Sequence, residues 1–313
     1  MNKPRVLFLG TPEFALPALS LLVEKKYPLV GVVTQPDRQK GRGRAWLPSP
    51  VKLMAGAKQL PLFQPERIGE RSFLETFRSL APDLVVLAAY GQWLPAEIID
   101  YPPLGCLNIH PSLLPQYRGA APINWAIING ERVTGITIMQ MAEELDGGDI
   151  IMQEETPIGE EETSDELHDR LACRGAEMLI QALGMVVSGT ARRVPQDGSA
   201  ATYAPRLRKE EGLLHWGQDA AAIVNRIRGL SSAPGAYTFL DGKKLKILRA
   251  RAEISDTGVA PGTVVIQKQG ELRVAAGNGW VYCLELQMEN KKKMPVSDFL
   301  RGCQVQSATL LTS

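Results

Sequence analysis

The sequence predicts an α/β protein in which a doubly wound, largely parallel sheet is followed by a small β-barrel domain. Three observations lead to this prediction. The chain opens with an apolar run at residues 5–9, a helical pattern at 14–25 and a second apolar run at 29–34, which is the β-α-β order of a doubly wound sheet. Residues 190–205 are polar and rich in small side chains, as is typical of a linker. Short β-type runs then dominate the rest of the chain.

Composition sets the broad class of the protein. Its 313 residues are 44% hydrophobic and 22% charged, as in ordinary globular proteins, and their number allows two domains. The four cysteines form no CxxC pair and have no histidine at zinc-ligand spacing, so we expect neither disulfides nor structural zinc. No apolar run is long enough to span a membrane, and the first residues do not form a signal peptide. We therefore expect a cytoplasmic protein that does not bind membranes.

The remaining elements of the first domain follow from apolar periodicity and capping residues. Ser49 and Pro50 predict the start of a helix that ends near Gln59. Thr163 and Glu166 form a capping box for a helix that runs toward Val187. A further helix is predicted at 70–80, and further strands at 83–89, 105–109, 133–141 and 150–158.

The turn after the first strand excludes an obvious function class. It reads GTPEFA, and it lacks the second and third glycines that let a backbone approach the pyrophosphate of a dinucleotide. A nicotinamide- or flavin-dependent dehydrogenase is therefore disfavoured despite the order of the elements.

A basic segment follows the second strand. Arg38, Lys40, Arg42 and Arg44 lie within seven residues and are separated by Gln39, Gly41 and Gly43. No pattern buries this segment, so we interpret it as a mobile loop that binds phosphates, with Trp46 placed to stack on a base. The alternative is an ordinary solvated loop with Trp46 packed in the core.

Two polar residues mark the end of the strand at 105–109. Asn108 and His110 are two residues apart, so they point to the same face of a strand. Histidine is suited to general acid–base catalysis, and an Asn amide can stabilise an oxygen that gains negative charge. The alternative is a capping asparagine beside a structural histidine.

The sequence LDGGD, at residues 145–149, follows the strand at 133–141. Its two glycines allow a sharp turn between Asp146 and Asp149. An aspartate brought against His110 would hold the tautomer of that ring. The sequence leaves open whether Asp146 meets His110 or is merely a turn residue.

The C-terminal third of the chain is basic. Residues 1–205 contain 19 Lys and Arg against 24 Asp and Glu, whereas residues 206–313 contain 16 against 10. A helix is predicted at 219–228, and Asp241-Gly242 predicts a hairpin. Strands are predicted at 236–240, 244–248, 262–266, 271–275 and 281–287. A basic β-domain fits binding of an RNA backbone, although drift in composition between domains would explain the charge equally well.

The segment NIHPSLLPQYRGAAPI at 108–123, together with LDGGD, resembles the formyltransferases that use 10-formyltetrahydrofolate. The opening VLFLGTPEFALPAL, the loop QPDRQKGRGR and the basic C-terminal region are similar to the methionyl-tRNA formyltransferase family. The resemblance covers almost the whole chain. It implies a Rossmann-like formyltransferase domain at 1–189, a linker at 190–205 and an OB-like tRNA-binding domain at 206–313.

The resemblance also implies site residues. Asn108, His110 and Asp146 match the catalytic residues of the family, and Ser112, Leu113, Leu114 and Pro115 match its folate-binding segment. The residues expected to contact tRNA are Arg38, Lys40, Arg42, Arg44 and Lys209. The usual LDTGD is LDGGD here, so a hydroxyl group next to Asp146 is missing.

The expected reaction is transfer of the formyl group of 10-formyltetrahydrofolate to the amino group of methionyl initiator tRNA, by a monomer that needs no metal. Two alternatives remain at this point. The acceptor could instead be a small amine, such as an amino sugar nucleotide or glycinamide ribonucleotide. The chain could also be a non-catalytic RNA-binding protein built on the same scaffold.

Overall fold

The computed structural model describes residues 3–40, 45–267, 270–302 and 310–311. The chain divides into two compact units. The first unit consists of Met1–Gly119, Gly135–Thr156 and His168–Tyr203, and the second of Ala120–Thr134, Pro157–Leu167 and Ala204–Ser313. These units are defined by packing, whereas the predicted domains are continuous stretches of sequence. The boundaries predicted at residues 189 and 206 therefore stay a prediction.

The described residues form strands, α-helices and three short 3₁₀ helices. The strands are β1 Val6–Gly10, β2 Leu29–Val33, β3 Arg38–Lys40, β4 Ala45–Leu47, β5 Leu62–Phe63, β6 Leu84–Ala88, β7 Cys106–His110, β8 Arg118–Gly119, β9 Val133–Gln140, β10 Ile150–Pro157, β11 Tyr203–Ala204, β12 Ala236–Leu240, β13 Lys243–Ile254, β14 Val264–Ile266, β15 Leu272–Ala275, β16 Gly279–Met288 and β17 Met294–Pro295. The α-helices are α1 Leu16–Glu24, α2 Pro50–Ala57, α3 Arg71–Leu80, α4 Ala96–Ile99, α5 Pro122–Ile128, α6 Ser164–Val187, α7 Ala220–Gly229 and α8 Val296–Gly302. The 3₁₀ helices are Glu13–Ala15, Gly198–Ala200 and Lys209–Gly212.

A seven-stranded sheet with the order β10-β9-β7-β6-β1-β2-β5 lies at the centre of the first unit. The neighbours from β7 to β5 are parallel, and β9 is antiparallel to β7. Every residue of β1, β6 and β7 is buried. Burial on both faces explains why these strands read as continuous apolar runs, and the predicted α/β class is confirmed.

The predicted helix starts are confirmed at the level of individual hydrogen bonds. The Ser49 hydroxyl accepts from the Lys52 amide at 3.0 Å, and Pro50 begins α2. The Thr163 amide donates to the Glu166 carboxylate at 2.9 Å, which closes the capping box before α6. Each cap satisfies an amide that the first turn of a helix leaves without a partner.

The second unit contains an antiparallel sheet with the order β12-β13-β16-β15-β14, and β17 pairs with β16. Asp241 and Gly242 connect β12 to β13 with φ angles of +49° and +73°, which confirms the predicted hairpin. Helix α7 buries Ile223 and Ile227 in an apolar core with residues of the sheet, among them Ile247. All five strands predicted here are present, and β13 is longer than predicted.

The basic segment differs from the prediction of a mobile loop. Residues 38–40 and 45–47 form the antiparallel strands β3 and β4, in which Arg38 lies opposite Leu47. Trp46 is 66% exposed, so the alternative in which Trp46 packs in the core is wrong.

Helix α5 was also not predicted. None of the described helices is both long enough and apolar enough to cross a membrane.

Candidate active site

Strand β7 carries the two polar side chains that the sequence singled out. Asn108 and His110 are only 6% and 4% exposed, and both lie toward the carboxyl end of the strand. Asn108 pairs with Leu87 of the parallel strand β6, and His110 pairs with Thr137 of β9. The carboxyl ends of parallel strands are where ligands bind in open α/β sheets.

The hydrogen bonds of His110 define its tautomer. Its Nε2 atom lies 3.0 Å from the Tyr117 carbonyl oxygen, which only accepts, so Nε2 carries the hydrogen and donates. Its Nδ1 atom lies 3.7 Å from Oδ2 of Asp146. In the neutral ring Nδ1 and the carboxylate are both acceptors, and 3.7 Å is longer than a hydrogen bond, so the Nδ1 lone pair is not engaged by Asp146.

Asp146 is held in place by a backbone amide. Its Oδ2 atom accepts a 2.8 Å hydrogen bond from the Gly119 amide, and its backbone has a φ of +47°. A Cβ atom on Gly148 would lie 1.8 Å from the Gln140 carbonyl oxygen, so only glycine fits there. A Cβ atom on Gly147 would meet only the flexible side chain of Glu144. The loop therefore depends far more on Gly148 than on Gly147.

The predicted folate-binding segment is a partly buried turn. The hydroxyl of Ser112 donates to the Gln116 carbonyl at 2.7 Å, and Ser112 and Leu114 are buried. Leu113 and Pro115 are partly exposed and supply apolar surface close to His110 in the chain. Ser112 therefore supports the turn from within.

Thr137 and Gln153 hold this turn from β9 and β10, and sequence reasoning missed both. The Thr137 hydroxyl donates to the Ser112 carbonyl at 2.7 Å and accepts from the Leu114 amide at 3.2 Å. The amide of Gln153 donates to the Leu114 carbonyl at 2.9 Å. Single polar residues on strands have no sequence pattern that would have identified them.

The side-chain amide of Asn108 is a free hydrogen-bonding group in a nearly buried position. In the part of the chain that the structure describes, no hydrogen bond from this amide to another residue is present. The described buried side-chain atoms without a partner are Tyr90 Oη, Gln140 Oε1 and Arg273 Nε, so the amide atoms of Asn108 remain accessible. The free amide beside the partly apolar turn at 112–115 fits a bound carbonyl-containing substrate.

The residues predicted to contact tRNA fall into three groups. Arg38 is exposed on β3, and Lys209 is exposed at the start of the 3₁₀ helix Lys209–Gly212 in the second unit. Lys40 belongs to β3, and Arg42 and Arg44 lie outside the described residues. No described hydrogen bond or ion pair joins Arg38 to Asn108, His110 or Asp146. The tRNA contacts stay a prediction.

Asp37, at the edge of the basic segment, is neutralised by its neighbours. Lys52 Nζ lies 2.7 Å from its carboxylate, and the Gln64 amide donates to it at 3.0 Å. These hydrogen bonds hold the pKa of Asp37 below its usual range. The acidic residue nearest to the basic segment thus already has its own cationic partner.

Among the described residues, no group of three or more His, Cys, Asp or Glu is arranged to hold a metal ion.

Comparison with known proteins decides which family this geometry belongs to. The formyl transferase family profile matches residues 4–183, and the profile of the formyl transferase C-terminal domain matches residues 206–304. A methionyl-tRNA formyltransferase from Syntrophus aciditrophicus is 53% identical over 99% of this chain and 100% of its own length. The chain belongs to the methionyl-tRNA formyltransferase family. A second member, from Pelobacter propionicus, is 47% identical over 99% of this chain and 97% of its own length.

Several solved structures share the fold of this chain although their sequence identity to it is low. An N-formyltransferase from Helicobacter canadensis, in complex with folinic acid and dTDP-3-aminofucose, aligns with a TM-score of 0.67 at 15% identity and covers 91% of this chain and 100% of its own. HypX from Aquifex aeolicus, in complex with tetrahydrofolic acid, aligns with a TM-score of 0.64 at 20% identity and covers 95% of this chain and 47% of its own. These likenesses support the α/β architecture.

Proposed function

We propose that this protein transfers the formyl group of 10-formyltetrahydrofolate to the amino group of methionyl initiator tRNA during translation initiation. The observation that carries the proposal is the free amide of Asn108 two residues from His110, whose Nδ1 lone pair is not engaged by Asp146. Membership in the methionyl-tRNA formyltransferase family supports the choice of substrates. The amine attacks the formyl carbon of the donor, the bond between that carbon and N10 of the folate breaks, and N10 takes up the proton that the amine loses. The products are N-formylmethionyl-tRNA and tetrahydrofolate.

Asn108 is the group we assign to the oxygen of the formyl group. When the neutral methionyl amine attacks the formyl carbon, negative charge develops on that oxygen. The Asn108 amide is fixed on a buried strand and has no partner among the described residues to give up, so it donates to this oxygen without reorganisation.

His110 is the group we assign to the amine proton. Because Nε2 donates to the Tyr117 carbonyl, the proton is accepted at Nδ1. The ring then becomes an imidazolium whose Nδ1 hydrogen faces the Asp146 carboxylate 3.7 Å away. A small movement of either side chain, or one bridging water molecule, completes this contact.

We assign the folate donor to the turn formed by Ser112, Leu113, Leu114 and Pro115. Its support by Thr137 and Gln153 makes it rigid, and its partly exposed apolar side chains suit the flat face of an aromatic ring of the donor. The exposed Arg38 and Lys209, with Lys40, Arg42 and Arg44, are proposed to bind tRNA phosphates, a type of contact that weakens steeply as salt rises.

We further propose a catalytic domain at 1–189, a linker at 190–205 and an OB-like tRNA-binding domain at 206–313, in a cytoplasmic monomer. The described cysteines Cys106, Cys173 and Cys283 are free, which fits a reducing compartment. Light scattering of the full chain checks the monomer. A small-amine acceptor is the alternative to tRNA, and comparing the two acceptors in one formylation assay distinguishes them.

Replacement of Asn108 tests the proposed chemistry. We expect Asn108→Ala to lower kcat for formylation of methionyl-tRNA by about 10²–10³-fold, the usual effect of removing one oxyanion donor. Gln181→Ala is the matched control, because it removes an exposed amide from α6 in the same unit. A near-normal rate for Asn108→Ala would refute the assignment. Equal activity on a small amine would refute the tRNA acceptor.

A further inference from the structure

Two loops beside His110 hold backbone conformations that side chains rarely adopt. Tyr117 has a φ of +58° and Asp146 a φ of +47°. The first loop places the Tyr117 carbonyl on His110 and the Gly119 amide on Asp146. A non-glycine residue in the left-handed region persists only when its surroundings hold it there. The contacts that hold these two loops therefore set the geometry of the site.

Residues 194–202 bind to both loops. The Thr202 carbonyl accepts from the Arg118 amide at 2.8 Å, and the Thr202 hydroxyl accepts from the Tyr117 amide at 2.8 Å. At the other end of the segment, Val194 and Ile150 exchange backbone hydrogen bonds of 2.8 and 2.9 Å. Part of the stretch that composition predicts to be a linker is thus fastened across the site.

Gln196 lies in this segment and joins the two loops through one side chain. Its Nε2 donates to the carbonyl oxygens of Asp146 and Gly148, each at 2.7 Å. Its Oε1 accepts from Nε and Nη2 of Arg118, at 3.2 and 2.9 Å. An amide has two donor hydrogens and two acceptor lone pairs, so all four are used and the orientation of the amide is determined.

Arg118 completes the network from the first loop. It is 1% exposed, and its remaining nitrogen Nη1 donates to the Glu144 carboxylate, at the start of the Asp146 turn. The guanidinium therefore holds the Asp146 loop twice, directly through Glu144 and indirectly through Gln196. Its forked donors can serve both partners at once.

We infer that Gln196 and Arg118 are positioning residues that set the distance between the Asp146 carboxylate and Nδ1 of His110. This inference rests on the proposed catalytic role of Asp146. Neither residue touches His110 by a described hydrogen bond, and both act through the loop that carries Asp146. Asp146 Oδ2 lies 3.7 Å from His110 Nδ1, so a shift of about one ångström decides whether the carboxylate accepts a hydrogen bond from Nδ1 of the imidazolium.

Gln196→Glu tests this inference with little change in shape. A carboxylate still accepts from Arg118 but cannot donate to the carbonyls of Asp146 and Gly148. We expect kcat to fall about 10- to 100-fold, as misplacement of a catalytic group by about one ångström does, with the KM values for both substrates unchanged. Gln196→Met removes the donors without adding charge, and should lower kcat in the same way.

Ser199→Ala is the matched control. Ser199 lies three residues away in the same segment, and its described side-chain hydrogen bond goes to Asp197, outside the site. Its kcat should equal that of the unsubstituted chain. If the control lowers kcat as much as Gln196→Glu, the effect belongs to the segment as a whole and the inference is wrong.

A double-mutant cycle with Asp146→Asn separates positioning from general damage. If Gln196 acts through Asp146, Gln196→Glu lowers kcat strongly in the unsubstituted chain and little in the Asp146→Asn variant. Equal effects in both backgrounds would overturn the inference and leave the proposed function intact. A normal rate for Asp146→Asn alone would instead refute the catalytic role of Asp146, and the inference would fall with it.

Discussion

Each unit contains a buried arginine whose guanidinium group donates hydrogen bonds, but the two arginines donate to different kinds of partner. Arg118 in the first unit is 1% exposed and Arg228 in the second is 8% exposed. The guanidinium of Arg118 binds two side chains, Gln196 and Glu144, both tied to the Asp146 loop. That of Arg228 binds backbone carbonyls of Gly159 and Glu162 at 2.9 and 3.3 Å, and Asn225 Oδ1 at 3.0 Å.

Both side chains are almost fully buried, so the expected difference in their roles comes from the partners of the two guanidinium groups. Burial holds the pKa of Arg228 below its usual range, and the charges of Glu162 and Glu160 oppose this only in part. No described hydrogen bond joins Arg228 to a carboxylate, so it acts as a donor to a loop of the second unit. The hydrogen bonds of Arg118 instead hold the loop that carries Asp146, a proposed catalytic residue. Substitutions should therefore separate activity from stability.

Among the variants that test this contrast, Arg118→Met should have the largest effect. Its loss leaves Gln196 and Glu144 without their shared donor, so the Asp146 loop shifts and kcat falls on the order of 100-fold. Arg118→Lys should not restore the rate, because a single ammonium cannot replace forked donors. Steady-state formylation kinetics measure both variants. A rate for Arg118→Met within a few-fold of normal would show that the network does not control Asp146.

Gly148→Ala tests the same loop without touching the arginine. The new methyl group would lie 1.8 Å from the Gln140 carbonyl oxygen, a backbone atom of β9 that cannot move away. We expect kcat to fall about 30- to 100-fold because the loop must move. Gly184→Ala is the control, since a methyl group on this glycine of α6 in the same unit would meet nothing within 4 Å. Equal losses in the two alanine variants would contradict this account.

Arg228→Met should lower stability and leave chemistry unchanged. The carbonyls of Gly159 and Glu162 lose their donor, and an unpaired buried acceptor costs about 1–3 kcal/mol. We expect the free energy of unfolding to fall by about 2 kcal/mol, measured by urea denaturation, with kcat unchanged at 25 °C. A fall in kcat comparable to that of Arg118→Met would erase the contrast between the two arginines.

The smallest effect is expected at the partly exposed ion pair between Glu166 and Arg249. Hydrogen bonds from Thr163 and from Arg249 lower the pKa of Glu166 to about 2, from 4.5. A lowered pKa stabilises the fold above pH 4.5, and this contribution is lost as the pH falls toward 2. Both side chains are nearly half exposed, so solvent screening keeps the effect small.

The measurement compares urea midpoints of the unsubstituted chain and Glu166→Gln at several pH values. The advantage of the unsubstituted chain should be present at pH 5 and shrink toward pH 3, because glutamine does not titrate. Glu161→Gln, an exposed carboxylate without this cap, is the control. An advantage that grows as the pH falls would contradict the sign of the linkage.

The strands of both units could be predicted because burial leaves a pattern in the sequence. Residues 6–9 and 84–88 are apolar throughout, since both faces of their strands are covered. Asp241-Gly242 predicted a hairpin, since both residues tolerate positive φ angles. The strands β3 and β4 escaped prediction, because two three-residue strands are too short for a period of two to show.

The candidate site divides along the same line. Asn108 and His110 could be placed on one face from their spacing alone. The approach of Asp146 to His110 could not, because it depends on how two loops are held. Arg118 and Gln196 are 78 residues apart in the chain, and neither belongs to a periodic pattern.

The sequence by itself determined the α/β class, the strands and helices with a clear apolar pattern, the helix caps and the residue types of the proposed chemistry. These follow from interactions between residues near one another in the chain, or from burial that repeats along an element. Only the tertiary structure decided the tautomer of His110, the 3.7 Å separation from Asp146 and the network that holds it. Those features depend on hydrogen bonds between distant residues, whose partners are chosen by folding.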